Sequence, residues 1–302
     1  MQIDIINSRE VYGGLKPGLP ILRLASTRCE ALVSLWGAQL LSFTPLDSGR
    51  AGDLLWMSPR ARFSEGQAIR GGIPLCLPWF GENLRDPDLS SHGFVRNRLW
   101  ILESSCEVAS GPEAGKVLLV FVYQSTNLDW QQFPCRFATK LTMTLGRELV
   151  LALETTNLDS VAMPFTFAFH TYFATDCLGE SRITGLNAYH YLDNNRGLKR
   201  FIQKGDILFD DAIDRVYPGH SNLHTTQLLD TGELVLEVSA ECCPTVIVWN
   251  PGELQAEQMS DIGRLQYSKF LCLERGVAFD DEIQIGPGDT YYACMTIRSE
   301  LL

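Results

Sequence analysis

Between Lys140 and Asn157 the chain alternates. Leu141, Met143 and Leu145 are separated by Thr142 and Thr144, the turn residues Gly146-Arg147-Glu148 follow, and Leu149, Leu151 and Leu153 repeat the same period. A period of two places the leucines on one face of an extended strand, and a short polar break between two such runs predicts a β-hairpin. Strand-like runs recur at Ile21–Ala25 (interrupted by Arg23), Ala31–Phe43, Asp53–Pro59, Val117–Tyr123, Leu234–Val238 after Thr231-Gly232, Thr245–Trp249 and Tyr291–Ile297. Within the second of these, Gly37 is placed for a bulge or turn. A helical period is nearly absent, and Leu254–Asp261 has room for a turn or two. Strands spaced by roughly 8–12 residues with turn residues between them predict an all-β fold, a large antiparallel β-sandwich with few short helices. With no repeat, low-complexity tract or linker, residues 1–302 are expected to form a single domain.

Of the residues, 45% are hydrophobic and 20% charged, which supplies material for a large core. A net charge of −11 and no basic run argue against a nucleic-acid partner. They leave open an anionic small ligand, because a few arginines can make a local positive pocket in an acidic protein. The nine cysteines show no paired framework, and Cys76, Cys272 and Cys294 sit inside apolar runs. Adjacent Cys242-Cys243 is not metal-knuckle spacing. A reducing, cytoplasmic setting is expected. No signal peptide or membrane-length apolar run is present in the sequence. The expected partner is a small molecule, with no nucleic acid, no membrane and a monomeric chain.

Two dense blocks carry the first chemical signal. Arg70-Gly-Gly-Ile-Pro-Leu-Cys-Leu-Pro-Trp-Phe-Gly81 combines a cation, glycines, prolines and the flat faces of Trp79 and Phe80. Ser91-His92-Gly-Phe-Val-Arg96-Asn97 follows a polar loop. Each alone reads equally well as a turn with a surface arginine; together they read as pocket walls. His170 lies in the aromatic run Met163–Phe173, where alternation puts it with Ala168 and Tyr172, opposite Phe165, Phe167 and Phe169. A lone histidine there is more often a core residue than a catalyst, but its aromatic surroundings suit a desolvated sugar site. Glu274, ending the apolar run Phe270-Leu-Cys-Leu, is either a salt-bridge partner, with Arg275 adjacent, or a catalytic carboxylate. Asp214 beside Arg215 reads on its own as a surface pair, and Trp249-Asn250-Pro251 as a structural strand end. His190, His220 and His224 show no ligand spacing. Serine-hydrolase elbows, dinucleotide fingerprints and phosphate-binding loops are missing from the sequence, and no cofactor or metal is expected.

Taken in order, Arg70-Gly-Gly-Ile-Pro with Pro-Trp-Phe-Gly81, His92-Gly-Phe-Val-Arg96, Phe169-His-Thr-Tyr172, Asp214-Arg-Val-Tyr217, Trp249-Asn-Pro251 and Cys272-Leu-Glu-Arg-Gly276 resemble the hexose-6-phosphate mutarotases, or glucose-6-phosphate 1-epimerases, of the galactose-mutarotase-like superfamily. The resemblance implies a supersandwich with its site in a groove on one face, and interconversion of the α and β anomers of a hexose 6-phosphate. It implies His170 as acid, Glu274 as base, Arg70 and Arg96 in the substrate site where they suit the phosphate, and Asp214 on sugar hydroxyls. Ser91, His92 and Trp79 fall within the same binding blocks. Two departures stand out: relatives often carry glutamine where this chain has Ser91, and proline or a small residue where it has Arg275. The latter is expected either to add a phosphate contact or to point outward. The alternatives are a free-aldose 1-epimerase, in which the arginines bind hydroxyls, and a non-catalytic carbohydrate-binding sandwich. A metal site built from His92, His170 and Glu274 is the weakest reading, because these ligands lack local spacing.

Overall fold

In the computed structural model of the protein, residues 1–14, 17–46, 52–83, 86–219, 226–230 and 234–301 are described, with side chains for all of these except 226–230, 234–235 and 299–301. His220, His224 and the Thr231-Gly232 turn lie outside the described residues.

The architecture is antiparallel throughout its named sheets. Alternation in the leucine hairpin becomes two long strands, Phe137–Leu145 and Glu148–Asn157, paired from Phe137 opposite Asn157 to Leu145 opposite Leu149. They lie inside a nine-stranded sheet. Thr290–Leu301 and Leu234–Glu241 continue it on one side, and Val117–Gln124 and Ile101–Glu107 on the other. An eight-stranded sheet runs Lys199–Ile202, His190–Asp193, Ile213–Tyr217, Thr245–Asn250, Phe270–Val277, Phe167–Phe169 and Leu75–Cys76, with Tyr172–Ala174 also paired to Phe270–Val277. A four-stranded meander covers Gln2–Asn7, Pro20–Ala25, Cys29–Ser34 and Gln39–Pro45. The all-β sandwich expected from the alternation is therefore present.

The principal core fills the space between the sheets. Leu141, Met143, Leu151 and Leu153 from the nine-stranded sheet join Phe167, Phe169, Val246, Val248 and Leu273 from the eight-stranded one. Burial of each such side chain is worth about 1.5–3 kcal/mol, which makes this shared interior the main stabilising contribution.

One local reading, the turn at Gly37, is borne out, and two change. The run Ala31–Phe43 is two strands, because the chain reverses at Gly37 (φ 75°). Asp53–Pro59 forms no strand; its backbone makes single bridges, Leu55 to Phe173 and Met57 to Gly71. The run Met163–Phe173 is split into Met163–Phe165, which pairs with Ile283–Ile285, and Phe167–Phe169 and Tyr172–Ala174, which both pair with Phe270–Val277. Among the described residues α-helix is confined to Ser8–Tyr12, capped by an Asn7/Glu10 capping box, and Gly252–Gln258.

Candidate active site

Strand register assembles the site on the face of the eight-stranded sheet turned away from the principal core. Directly opposed residues share a face. Glu274 opposes Ile247, which opposes Val216, while Cys272 opposes Trp249, which opposes Asp214. These two neighbouring rows bring Glu274, Trp249 and Asp214 to one surface, though they come from strands far apart in sequence. On the same face, Gly276 opposes Ala168, which opposes Cys76. The first block, residues 70–80, is laced to the histidine run by its backbone. His170 N–H donates to Pro74 O (3.0 Å), Tyr172 N–H to Gly72 O (2.9 Å) and Thr166 N–H to Pro78 O (3.2 Å). Gly93 brings the second block against the first: at φ 66° it bridges Leu77, and a Cβ there would lie 1.9 Å from Leu77 O.

The result is a groove of about 900 Å3, within the range of small-molecule sites. Its lining includes Arg70, Arg96, His170, Asp214, Trp249 and Glu274, together with Trp79, Ser91 and His92. His170 and Glu274, 6% and 1% exposed, bring Nδ1 and Oε1 to 3.4 Å. His170 Nδ1 and Glu274 Oε2 have no hydrogen-bond partner within the protein. Unpaired polar atoms this deeply buried are costly, and here they face a ligand-sized groove. Burial first, then the positive charges nearby, hold the His170 imidazolium well below its usual range; burial first, then Asp214, push the Glu274 carboxyl well up. Both shifts favour the uncharged pair.

Around this pair, the imidazole of His170 stacks on Tyr172 (4.7 Å between centroids, 3° between planes) and meets Trp249 edge-on at 6.0 Å. Asp214 accepts from Asn194 Nδ2 (2.7 Å), and burial raises its carboxyl to about 6. Its neighbour Arg215 reaches the other way, to Gln203 Oε1 (3.0 Å) and over the Tyr191 ring, so the surface pair suggested by adjacency does not form. His92 Nδ1 accepts from Gly81 N–H (3.2 Å), and burial plus Arg96 and Arg70 push its imidazolium down to about 3. His92 is thus a neutral wall. Arg96 Nη2 donates to Ser91 O (2.7 Å), so Ser91 meets the arginine through its backbone. Arg70 donates to Asp261 and Tyr172.

Two residues are not where the sequence reading put them. Trp79 borders the groove but is only 8% exposed; it packs on Phe94 and Phe133 and donates Nε1–H to Ser90 O. Its ring belongs to the core, and the half-buried Trp249, read from sequence as a strand end, is the tryptophan that meets His170. Arg275 neither points outward nor enters the groove. It opposes Phe169 and Val246, is 0% exposed, and donates to Cys243 O (3.1 Å) on the core side of the sheet. The period of two sends it away from Glu274, which also removes it as a salt-bridge partner of that carboxylate. Asn250 does close the strand structurally, through bonds to Tyr267 O, Phe270 O and Gly252 N–H.

His170, Cys272 and Glu274 present ligand atoms within 4.8 Å of one another. Cys272 is wholly buried against Trp56, Tyr172 and Phe270, and its thiol is pushed well up by that burial and then by Glu274. A thiol and a carboxyl that both favour their protonated forms make a poor ligand set for a metal ion, which requires them ionised.

The sequence profile of the aldose 1-epimerase family matches residues 20–298. The chain belongs to the aldose 1-epimerase family. Among relatives of this family member, a Cenchrus ciliaris protein named "putative glucose-6-phosphate 1-epimerase" is 33% identical over 269 residues, covering 87% of this chain and 79% of that protein. An Escherichia coli protein of the same name is 29% identical, covering 87% and 85%. A solved Salmonella typhimurium structure described as a "putative mutarotase" superposes with a TM-score of 0.84 at 26% identity, covering 99% of this chain and 97% of the other. A galactose mutarotase-like protein of Clostridium acetobutylicum, 15% identical with a TM-score of 0.71 and coverage of 100% and 99%, shares the fold.

Proposed function

We propose that this aldose 1-epimerase family member interconverts the α and β anomers of glucose 6-phosphate, with His170 as acid and Glu274 as base. The observation that carries the reading is the buried, unpartnered His170–Glu274 pair facing the groove. Relatives named as glucose-6-phosphate epimerases support the substrate.

Anomerisation opens the ring, rotates the C1–C2 bond and closes the ring again. Glu274 takes the proton of the C1 hydroxyl as C1=O forms; the C1–O5 bond breaks, and His170 gives its proton to O5. The pair enters as carboxylate and imidazolium and leaves as carboxyl and neutral imidazole. Closure on either face reverses these transfers, so the pair holds one mobile proton throughout. Burial favours the neutral arrangement, which is the one that accompanies the open chain. Each positioned acid or base typically contributes on the order of 10²–10⁴-fold, which suffices for a reaction that already proceeds in water. Asp214 binds ring hydroxyls, Trp249 offers an apolar wall, and Ser91, His92 and Arg96 form the side from which the phosphate is held. The proposal extends to one working domain, for which the shared core drawing on residues 22 to 297 is the support. It also extends to a monomer in the reducing cytoplasm, consistent with nine free thiols.

Two observations favour a second reading, a free-aldose 1-epimerase: Arg70 is already engaged by Asp261, and the lining includes Glu82, Asp86, Asp214, Glu274 and Glu282. An assay of anomer interconversion with glucose, galactose and their 6-phosphates separates the two. Higher kcat/KM for glucose 6-phosphate than for glucose is expected; equal or higher values for the free sugars overturn the phosphate assignment.

A further inference from the structure

The row of side chains that begins at Glu274 continues past the reacting pair. Val216 opposes Leu192, which opposes Arg200, so Ile247, Val216, Leu192 and Arg200 follow Glu274 across one face of the sheet. At the sheet edge Arg200 pairs with Asp280. That contact ties the strand Lys199–Ile202 to the turn Phe279–Asp281. Phe279 packs against the apolar cluster that holds Val216 and Ile247, and meets Phe80 edge-on at 6.3 Å. Leu198, directly before the tied strand, also lines the groove.

The backbone at both residues is in a conformation that disfavours them. Among the described residues, positive φ outside glycine occurs at Ala38, His92, Ala188, Leu198, Cys242 and Phe279. Of these, His92, Leu198 (φ 58°) and Phe279 (φ 54°) line the groove. Histidine enters the left-handed region comparatively readily, whereas a bulky apolar residue there is an outlier that costs free energy. Bonds that do not involve either side chain hold the two turns. Leu198 N–H donates to Asp193 O (2.8 Å). Beyond Phe279, the Asp281 carboxylate accepts from Gly219 N–H (3.0 Å) and from the Thr245 hydroxyl (2.7 Å). Glycine at 198 or 279 would keep every one of these bonds without the strain. Leu198 is 40% exposed, so its burial contributes little to the fold. Strained residues gathered at a groove point to a ligand as the reason for them.

We propose that Leu198 and Phe279 are substrate-binding residues, an apolar clamp against the C–H face of the sugar ring while C1 stands at His170 and Glu274. The inference rests on the mutarotase reading and adds the part of the site that recognises the ring rather than the phosphate. A pyranose carries its hydroxyls around the rim and its C–H bonds on the faces, so a complementary site needs polar groups at the edge and apolar ones over a face. Asp214 supplies the first. It stands two residues from Val216 on the same strand and the same side of the sheet, next to the row that the clamp overlies. Leu198 and Phe279 supply the second. They touch carbons at which no bond forms or breaks, so their contribution is alike in ground and transition states and sets KM rather than kcat. A contact to the ring is also blind to what C6 carries, so it acts equally on the free and the phosphorylated sugar.

The test uses Leu198→Gly and Phe279→Gly, which remove the side chain and suit the backbone. Steady-state kcat and KM are measured on glucose 6-phosphate and on glucose, with a thermal melt of each variant and calorimetric titration with both sugars. In Leu198→Gly the melting temperature is expected to stay or rise as the strain is released, while KM rises by roughly three- to tenfold, by the same factor on both sugars, with kcat little changed. Phe279→Gly is expected to raise KM likewise; it also loses packing against Val216 and Ile247, so Leu198→Gly decides the matter if the phenylalanine variant does not fold. The proposal is overturned if folded Leu198→Gly keeps its KM on both sugars, whatever its melting temperature, because the leucine then serves the fold or nothing. It is overturned equally if KM rises on glucose 6-phosphate alone, since the contact is then to the phosphate. A wild type that prefers free glucose ends the phosphate reading but leaves the clamp to be judged by KM on glucose. A wild type that turns over neither sugar ends the mutarotase reading, and the calorimetric affinity for glucose then decides: weaker binding in Leu198→Gly supports the clamp, and unchanged binding overturns it.

Discussion

In the proposed mechanism His170 and Glu274 carry the chemistry as a pair, each serving a different transfer. Glu274→Gln keeps the shape but cannot accept a proton, and His170→Asn keeps a donor but cannot cycle one. Each is expected to lower kcat by roughly 10² or more with the fold intact, measured by anomer interconversion beside circular dichroism; near-normal turnover in either variant removes that residue from the mechanism. The pair is competent with one proton, and becomes incompetent with two at low pH or none at high pH. Asp214, which titrates at about 6, is the carboxylate that adds to the upward push of burial on Glu274. Above that pH its negative charge helps Glu274 keep the last proton. Asp214→Asn removes the charge, so Glu274 ionises at lower pH, and the alkaline limb of kcat/KM is expected to move to lower pH. An upward move, or none, means Asp214 does not act on the pair. A pH series of kcat/KM on variant and wild type reads the direction.

Strand register decides which residues reach the groove, and it was only partly legible in the sequence. Alternation predicted the leucine hairpin and put His170 with Tyr172 opposite the phenylalanines, which holds even though the run is broken into three strands. Alternation inside one strand cannot say which face is the groove. Trp249 and Arg275 were misjudged for that reason: the face of each is set by partners such as Asp214 and Phe169, remote in sequence. The bonds from Arg70 to Asp261 and Tyr172 gave no local signal, because Arg70 meets them only after the chain has crossed the sheet. The same register makes Gly276 critical. A Cβ there would lie 2.0 Å from Phe167 O and 2.7 Å from Ala168 Cα, wedging the strand that carries Glu274 away from Phe167–Phe169, which leads into His170. Gly276→Ala is therefore expected to destabilise the fold by about 2 kcal/mol or more and to lower kcat in the protein that still folds. A thermal melt unchanged from wild type means the strands can part without cost. Arg275→Ala gives the complementary result: loss of stability of about 2–5 kcal/mol from the emptied core space, with KM for glucose 6-phosphate unchanged, since the guanidinium lies behind the sheet.

At the scale of the whole molecule, charge sets two opposing terms for a phosphorylated substrate. The chain carries −11, and this diffuse field repels a dianion. In the proposed binding mode Arg96, which lines the groove, attracts it locally at contact, where salt screens less than at the open surface. The Debye length is about 8 Å at physiological salt, so the diffuse term acts over many screening lengths and is small there, while the contact lies within one. The local term wins in the wild type, and raising salt from low to high is expected to increase KM for glucose 6-phosphate and leave KM for glucose in place. Removing Arg96 exposes the remaining term. In Arg96→Ala, KM for glucose 6-phosphate starts higher by roughly 10–150-fold, the worth of a charge-assisted hydrogen bond. It should then fall, not rise, with added salt, because only repulsion is left to screen. The sign change between wild type and variant identifies Arg96 as the anion receptor without relying on the size of either effect. If KM rises with salt in both, another cation holds the phosphate, and if salt is without effect in both, recognition runs through neutral groups and the free-aldose reading gains.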